Sequence, residues 1–323
     1  MKKIPLFFLL IFALPLCLQA ADPPVLRMKM LWLPQAEFAG FYRALEDGLY
    51  EQAGVHLLLE HPRPEEDVFD TLQKEETDII VAWPIPALQR MEAGEDLVNI
   101  GQIAQNSALM FIARKSSGIL QPGDISGHRV GLYVAPSLQA PFRSFLDYHG
   151  VENCKFLPIL TNVDLFLYKG VDITAGVYYD EYYRIYGAGI DPDQLVCFEL
   201  QNVFSELVDD GLYTLRKTWT KYPDLCKKIR SATLEGWRRV FADPKRGLEL
   251  VRKYCEKDGV FFDIAHQRWM LSQMKNLIFP EGRENSGILS RASFDELMIM
   301  LAFPEGKIVY ERFVPEMQKG GRP

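Results

Sequence analysis

What this 323-residue chain has little of narrows its chemistry first. Cysteine is scarce: Cys17, Cys154, Cys197, Cys226 and Cys255 are all it has, and none forms a C-x-x-C pair. That argues against a zinc knot or a thioredoxin-like site, and spacing alone does not give a disulfide connectivity. Histidine is equally sparse. His56, His61, His128, His149 and His266 have no metal-ligand spacing and are expected as surface or capping residues, so no metal is expected. There is no Gly-rich phosphate loop, no Gly-x-Ser-x-Gly elbow, no internal repeat and no low-complexity tract. Basic residues number 36 against 43 acidic, with no basic stripe, which argues against nucleic acid as a partner. Beyond Leu18 no segment is long and apolar enough to span a membrane.

What is present fits an ordinary globular chain: 48% hydrophobic and 24% charged, with enough length for two lobes that each bury a core. Lys2 and Lys3 precede an apolar run from Ile4 to Leu18, and Ala20 and Ala21 follow. This is the order of a secretory signal, so residues 1–20 are expected to be removed and the mature chain to work in the periplasm or another extracytoplasmic space. Leu16 stands where a lipobox before Cys17 needs a small residue, which disfavours a lipid anchor. Without Lys2 and Lys3 the balance is 34 basic against 43 acidic.

Short strands and helices alternate along the chain. Strands are expected at 26–31, 55–59, 79–82, 97–103 and 109–114, with helices near 38–53, 65–74 and 85–93, and Gly54 and Gly94 as stops. A second series has strands at 130–134, 155–159, 173–177 and 195–199, with helices at 139–148 and 180–186. From Thr218 the chain turns strongly helical through 223–242, 244–257, 264–277 and 291–301. The rhythm predicts an α/β protein with largely parallel sheets. Two crossings, near 116–123 and 202–211, predict a bilobed binding fold whose cleft closes by hinge motion. Lobe one is expected at 21–115 plus 212–323, and lobe two at 116–211.

The most informative stretch follows the first strand: Trp32-Leu33-Pro34-Gln35-Ala36-Glu37-Phe38-Ala39-Gly40-Phe41-Tyr42, running on to Gly48-Leu49-Tyr50 and Gly54. It carries Trp, Gln and Glu where a strand ends and a helix begins, the place where open α/β sheets bind ligands. This stretch resembles the opening of the NMT1/THI5-like (SsuA/THI5-like) family, substrate-binding proteins of ABC importers related to thiamine-pyrimidine biosynthesis proteins. Further on, Ala175-Gly176-Val177-Tyr178-Tyr179-Asp180-Glu181-Tyr182 resembles the family's Tyr-Asn-Glu-Tyr segment, with Asp180 where Asn is usual. Asp209-Asp210-Gly211-Leu212-Tyr213 resembles its acidic-Asp-Gly strand start, and Ala232-Thr233-Leu234-Glu235-Gly236-Trp237 its long helix. The likeness runs from about Leu26 to Leu301.

The resemblance implies a type II periplasmic-binding-protein fold, no catalysis, no cofactor, and a monomer that hands its ligand to ABC permease and ATPase subunits. It also implies a small ligand, hydroxymethylpyrimidine or formylaminopyrimidine in the better-known members, riboflavin or sulfonates in others. The residues favour a flat one. Trp32, Trp83, Tyr133, Tyr178 and Tyr179 fall at or just past strand ends, where their rings can stack on a planar ligand. Glu37, Glu181 and Asp210 offer acceptors for an amino group, while Gln35, Asn106 and Ser137 offer donors or acceptors. Phe38 and Tyr42 complete the expected ligand-binding set, although both also suit the inner face of a helix, and Glu206, Asp209 and Asp210 also suit a solvated loop. Glu65, Glu66, Asp67, Glu75 and Glu76 are candidates for permease docking or plain solvated faces.

Two alternatives stand beside this reading. Eukaryotic relatives build the thiamine pyrimidine from their own histidine and pyridoxal phosphate. Here His61 and Lys74 lie in roughly the right region, but the cysteine-rich run of those enzymes is missing. Similar domains also serve as the input of sensor kinases, which would require a separate membrane partner.

Overall fold

The structure is a computed structural model that describes residues 23–160, 162–282 and 284–315; the expected signal segment and Cys17 lie outside them. Among the described residues ten strands form two five-stranded sheets. The first sheet has the order β2 (His56–Glu60), β1 (Val25–Lys29), β3 (Ile79–Ala82), β10 (Gly211–Leu215), β4 (Leu97–Gln102). The second has the order β7 (Lys155–Ile159), β6 (Arg129–Tyr133), β8 (Ile173–Val177), β5 (Leu109–Arg114), β9 (Leu195–Glu199). β3 is buried along its whole length with the sequence Ile-Ile-Val-Ala, the continuous apolar run of a strand covered on both faces.

Each sheet is mixed rather than largely parallel. β1 pairs in parallel with β2 and β3, but β10 enters between β3 and β4 antiparallel to both. In the second sheet β6 is parallel to β7 and β8, while β5 runs antiparallel to β8 and β9. The reason is topological: a chain that leaves one lobe and returns must re-enter the first sheet from the opposite end. β5 hydrogen-bonds only into the second sheet, so Leu109–Arg114 stands with the second lobe, whereas the sequence reading put it with the first. The segments that cross between lobes are accordingly 103–108 and 200–210. They bond to each other, Ile103 and Ala104 donating to the Asp210 carbonyl at 2.9 and 3.0 Å. The side chain of Gln102, fully buried, donates to the carbonyls of Ala104 at 3.0, Asp209 at 3.0 and Asp210 at 3.2 Å.

The C-terminal helices return to the first lobe. The helix Pro223–Ala242 crosses Ala39–Glu46 with almost no separation: a Cβ on Gly236 would stand 2.1 Å from the Gly40 carbonyl oxygen. A Cβ on Gly40 would meet the Trp237 ring at 2.3 Å. Only glycine allows this crossing, and the crossing seats the turn that carries Glu37. Tyr50 donates to or accepts from Thr233 at 2.9 Å in the same interface. The four described cysteines are unpaired. Among the described residues no helix is long and apolar enough to cross a membrane.

Candidate functional site in the interlobe cleft

The cleft is assembled from three strand ends and the crossing segments. After β1 the chain turns through a single 3-10 turn, Ala36–Phe38, whose first amide donates to Gln267 Oε1 at 2.6 Å. This holds Glu37 inward, 3% exposed. Its carboxylate accepts from the Gln35 side-chain amide and, across the cleft, from the Tyr179 hydroxyl at 2.9 Å. Burial lifts its pKa to about 7, with Asp180 and Asp209 pushing in the same direction.

After β8 the chain makes a π-helical turn, Tyr178–Tyr182. It aims Tyr179, Asp180 and Glu181 at the cleft and folds Glu181 back beneath Gly176, where a Cβ would stand only 2.6 Å from that of Glu181. Glu181 accepts from the Tyr133 hydroxyl at 2.7 Å and from the Val177 amide at 2.9 Å. Burial, followed by the neighbouring Asp180 charge, raises it to about 8. Asp180 is different. It faces His266 Nε2 at 3.2 Å and is bonded to Arg184. Burial opposes its charge, yet these two partners hold it below the ordinary carboxylate range.

The third strand end is the start of β10. Asp209 and Asp210 are buried, not part of a solvated loop. One oxygen of Asp209 accepts from the Ala108 amide at 2.7 Å, and burial moves its pKa to about 7. Asp210 is raised further, by burial and then by the adjacent Glu37 and Asp209. One oxygen each of Asp209 and Asp210 and the indole N–H of Trp83 are buried with no partner at hydrogen-bond distance among the described residues, although Trp83 and Glu37 stand near enough to act on the Asp210 carboxyl.

Trp32, Gln35, Glu37, Trp83, Tyr133, Tyr179 and Glu181, all expected from sequence, line one cavity together with Asp180 and Leu138. Asp210 lines a second beneath it, with Glu37, Asp209 and Trp237. The cavities measure about 30 and 10 Å³, room for a single water at most, so a ligand requires the lobes to part. Outside them a mouth of about 750 Å³ opens between Trp32, Tyr183, Arg184, Phe261, His266 and Gln267.

The remaining expected residues lie elsewhere. Phe38 and Tyr42 are fully buried in the first lobe, where Tyr42 stacks on Tyr254 at 4.0 Å and bonds His61 at 2.9 Å. Asn106 and Tyr178 line a separate pocket of about 270 Å³ behind the cleft. Ser137 packs at the lobe contact, its amide donating to Asp67 at 3.2 Å. Glu66 is paired with Lys29, and Asp67 caps its helix through Phe69. Sequence reading missed Asp180 as an ion-paired group, Asp209 as a cleft acid and Gln267 altogether, and it expected His266 at the surface or as a cap, whereas it is buried against Asp180. The doubled acid before the Gly211 strand is the one signal that could have marked Asp209. The two helix residues carry none, because only the tertiary fold brings them to the mouth.

No curated protein matches the chain in sequence. By structure it is similar to the alkanesulfonate-binding protein SsuA from Xanthomonas axonopodis pv. citri bound to MOPS (TM-score 0.66, 16% identity, 91% of this chain and 99% of that one). The periplasmic aliphatic sulphonate binding protein SsuA from Escherichia coli gives 0.65, 14%, 90% and 97%. The periplasmic nitrate-binding protein NrtA from Synechocystis PCC 6803 gives 0.57, 11%, 86% and 85%. The fold is thus the bilobed one of type II periplasmic binding proteins. A family model described as NMT1/THI5 like matches residues 35–247, well over half the sequence, and the chain belongs to the NMT1/THI5-like family.

Proposed function

We propose that this protein is the substrate-binding subunit of an ABC importer, working in the periplasm or an equivalent extracytoplasmic space, and that it captures a small nitrogen heterocycle of the thiamine-pyrimidine-precursor type. The observation that carries this reading is the interlobe cleft, where indole and phenol rings flank a floor of carboxyl acceptors. A flat ring stacks against Trp32, Trp83 or Tyr133, and an amino substituent donates to Glu37, Glu181 or Asp210. Closure between lobes then buries the ligand and sets both lobe surfaces against a permease.

Two of the named structural neighbours are sulfonate-binding proteins and one is a nitrate-binding protein; a cleft lined by carboxylates suits those anions poorly. An enzymatic role lacks support of the same kind. His61, the residue that falls where the eukaryotic enzymes use histidine, is tied to the Trp32 carbonyl at 2.6 Å and to Tyr42.

The test is a thermal-shift screen with hydroxymethylpyrimidine, formylaminopyrimidine, thiamine, riboflavin, taurine and an aromatic sulfonate. A ligand at 100 times its Kd adds about 2.7 kcal/mol, a shift of several degrees. The expected result is a shift with a pyrimidine that Trp32→Ala and Glu181→Ala each reduce. Binding of a pyrimidine that survives both substitutions unchanged would place the site elsewhere.

A further inference from the structure

The acids of the cleft pose an accounting problem. Glu37, Glu181, Asp209 and Asp210 are each more than nine-tenths buried, and none has a Lys, Arg or His partner among the described residues. Buried acids are rare unless paired, because an isolated charge loses its hydration without return. The fold does pair an acid here where it has use for one: Asp180, in the same cleft, has both Arg184 and His266. Glu37, Glu181 and Asp209 instead receive neutral donors, and one oxygen each of Asp209 and Asp210 has no partner within hydrogen-bond distance among the described residues. Those two oxygens and the Trp83 N–H belong to the lining of the two small cavities or border it.

We infer that the cleft takes an organic cation: the ligand seats an ammonium or amidinium group among Glu37, Asp209 and Asp210, with Glu181 on the opposite lobe. This rests on the cleft being the ligand site. The unpartnered oxygens of Asp209 and Asp210 are acceptors with no donor, and a charged nitrogen brings two or three donors and one positive charge to the same place. The neighbouring phenols already donate to carboxylates, Tyr179 to Glu37 and Tyr133 to Glu181, so they have no proton free for an anionic ligand. The indole and phenol rings that line the same cavity suit an organic cation, whose positive charge their faces attract. The cleft therefore inverts the charge preference of its sulfonate- and nitrate-binding structural neighbours.

A proton balance follows. The groups facing Glu37 and Asp210 are Gln35 beside them, Trp83 past β3, Tyr133 on β6, Tyr179, Asp180 and Glu181 on the π-helical turn, and Asp209 on the crossing segment. None of these is a free cation, so in the empty cleft protons neutralise part of the acid cluster. When an organic cation enters, a carboxyl O–H gives its proton to the buffer and the ligand's N–H takes over that oxygen.

The test uses three probes with one ring and three charges: benzamidinium, benzamide and benzenesulfonate, titrated calorimetrically into the purified protein. The expected result is benzamidinium binding roughly tenfold or more tighter than benzamide, with no heat from benzenesulfonate. Its observed enthalpy should differ between phosphate and Tris by an amount that reports proton release. Glu37→Gln and Asp210→Asn should each weaken benzamidinium by roughly tenfold or more and weaken benzamide by much less. Circular dichroism and the melting temperature of each variant check its fold. The inference is overturned if benzamidinium does not bind, if benzamide or benzenesulfonate binds as tightly, or if the two substitutions leave benzamidinium affinity intact. Hydroxymethylpyrimidine binding with the same affinity at pH 5 and pH 8, without benzamidinium binding, overturns the cation and leaves the heterocycle reading standing. Benzamidinium binding with no pyrimidine binding does the reverse.

Discussion

The paired acids on the outside of this protein and the four acids in its cleft that lack a cation, Glu37, Glu181, Asp209 and Asp210, obey opposite rules. Outside, Asp47 lies 2.8 Å from Arg43 and 2.7 Å from Arg239, Asp96 bonds Arg216 and Arg312, and Asp172 takes both arms of Arg129. The Arg129 hydrogen bonds, against a small cost of burial, hold Asp172 at about 2. Inside, Glu37 and Asp209 rise to about 7 and Glu181 to about 8, because they are dry and lack a cation. The same residue types therefore do two jobs. Paired acids fasten helices and strands to one another; unpaired buried acids cost stability and are retained for what enters the cleft.

The largest expected effect comes from removing the frame that holds the cleft acids in place. Gly236→Ala drives a methyl to within 2.1 Å of the Gly40 carbonyl, so the helix Ala39–Glu46, and with it the turn before it that carries Glu37, must shift. Overpacking of this kind costs about 3 kcal/mol or more, read as a denaturant midpoint well below that of the parent. A midpoint within error of the parent would show that the crossing is not what seats Glu37.

Next come the acids themselves. Glu37→Gln and Asp210→Asn remove a buried charge site that has no cation, and each should raise the ligand-free melting temperature by a few degrees, about 1–2 kcal/mol. A fall would mean that these carboxylates hold the lobes together.

The third prediction concerns pH. A carboxyl with a raised folded-state pKa binds more protons folded than unfolded. Its favourable contribution is full below the unfolded pKa and is lost as pH rises through the folded one. For Glu181, with an ordinary value of 4.5 and a folded value of about 8, that window is about pH 4.5 to 8. Melting temperature should fall across it, and Glu181→Gln should flatten the fall. The outer acids run the other way: Asp172 stabilises above its ordinary 3.8 and loses that contribution as pH drops toward 2.

The smallest effect is Asp47→Asn, which breaks a surface pair. It should destabilise by about 0.2–1 kcal/mol and shrink further in high salt. A stabilising result would erase the contrast between the two sets of acids.

Much of the fold was legible because the strands announce themselves. Ile79–Ala82 is a solid apolar run, and Gly54 and Gly94 close helices where expected. What stayed hidden is pairing direction: Gly211–Leu215 carries no mark saying that it runs antiparallel between β3 and β4. In the site, Trp32 and Glu37 could be found because strand ends are where α/β folds place ligands. Phe38 and Tyr42, one and five residues past Glu37, face the core instead of the cleft. Tyr178 and Tyr179 part company because the π-helical turn sends neighbours to different cavities. His266 and Gln267 reach the cleft mouth from more than 200 residues downstream of Ala36, a contact that local pattern does not encode.

The central claim, that the cleft acids are held against stability for the sake of a ligand, meets its most direct test in one measurement: the melting temperature of the parent and of the Glu37→Gln/Asp210→Asn double variant from pH 5 to pH 8, without ligand. The account predicts a parent that melts lower as pH rises and a double variant that melts higher and changes less. A double variant that melts below the parent at every pH, as the loss of a paired outer acid would produce, contradicts it.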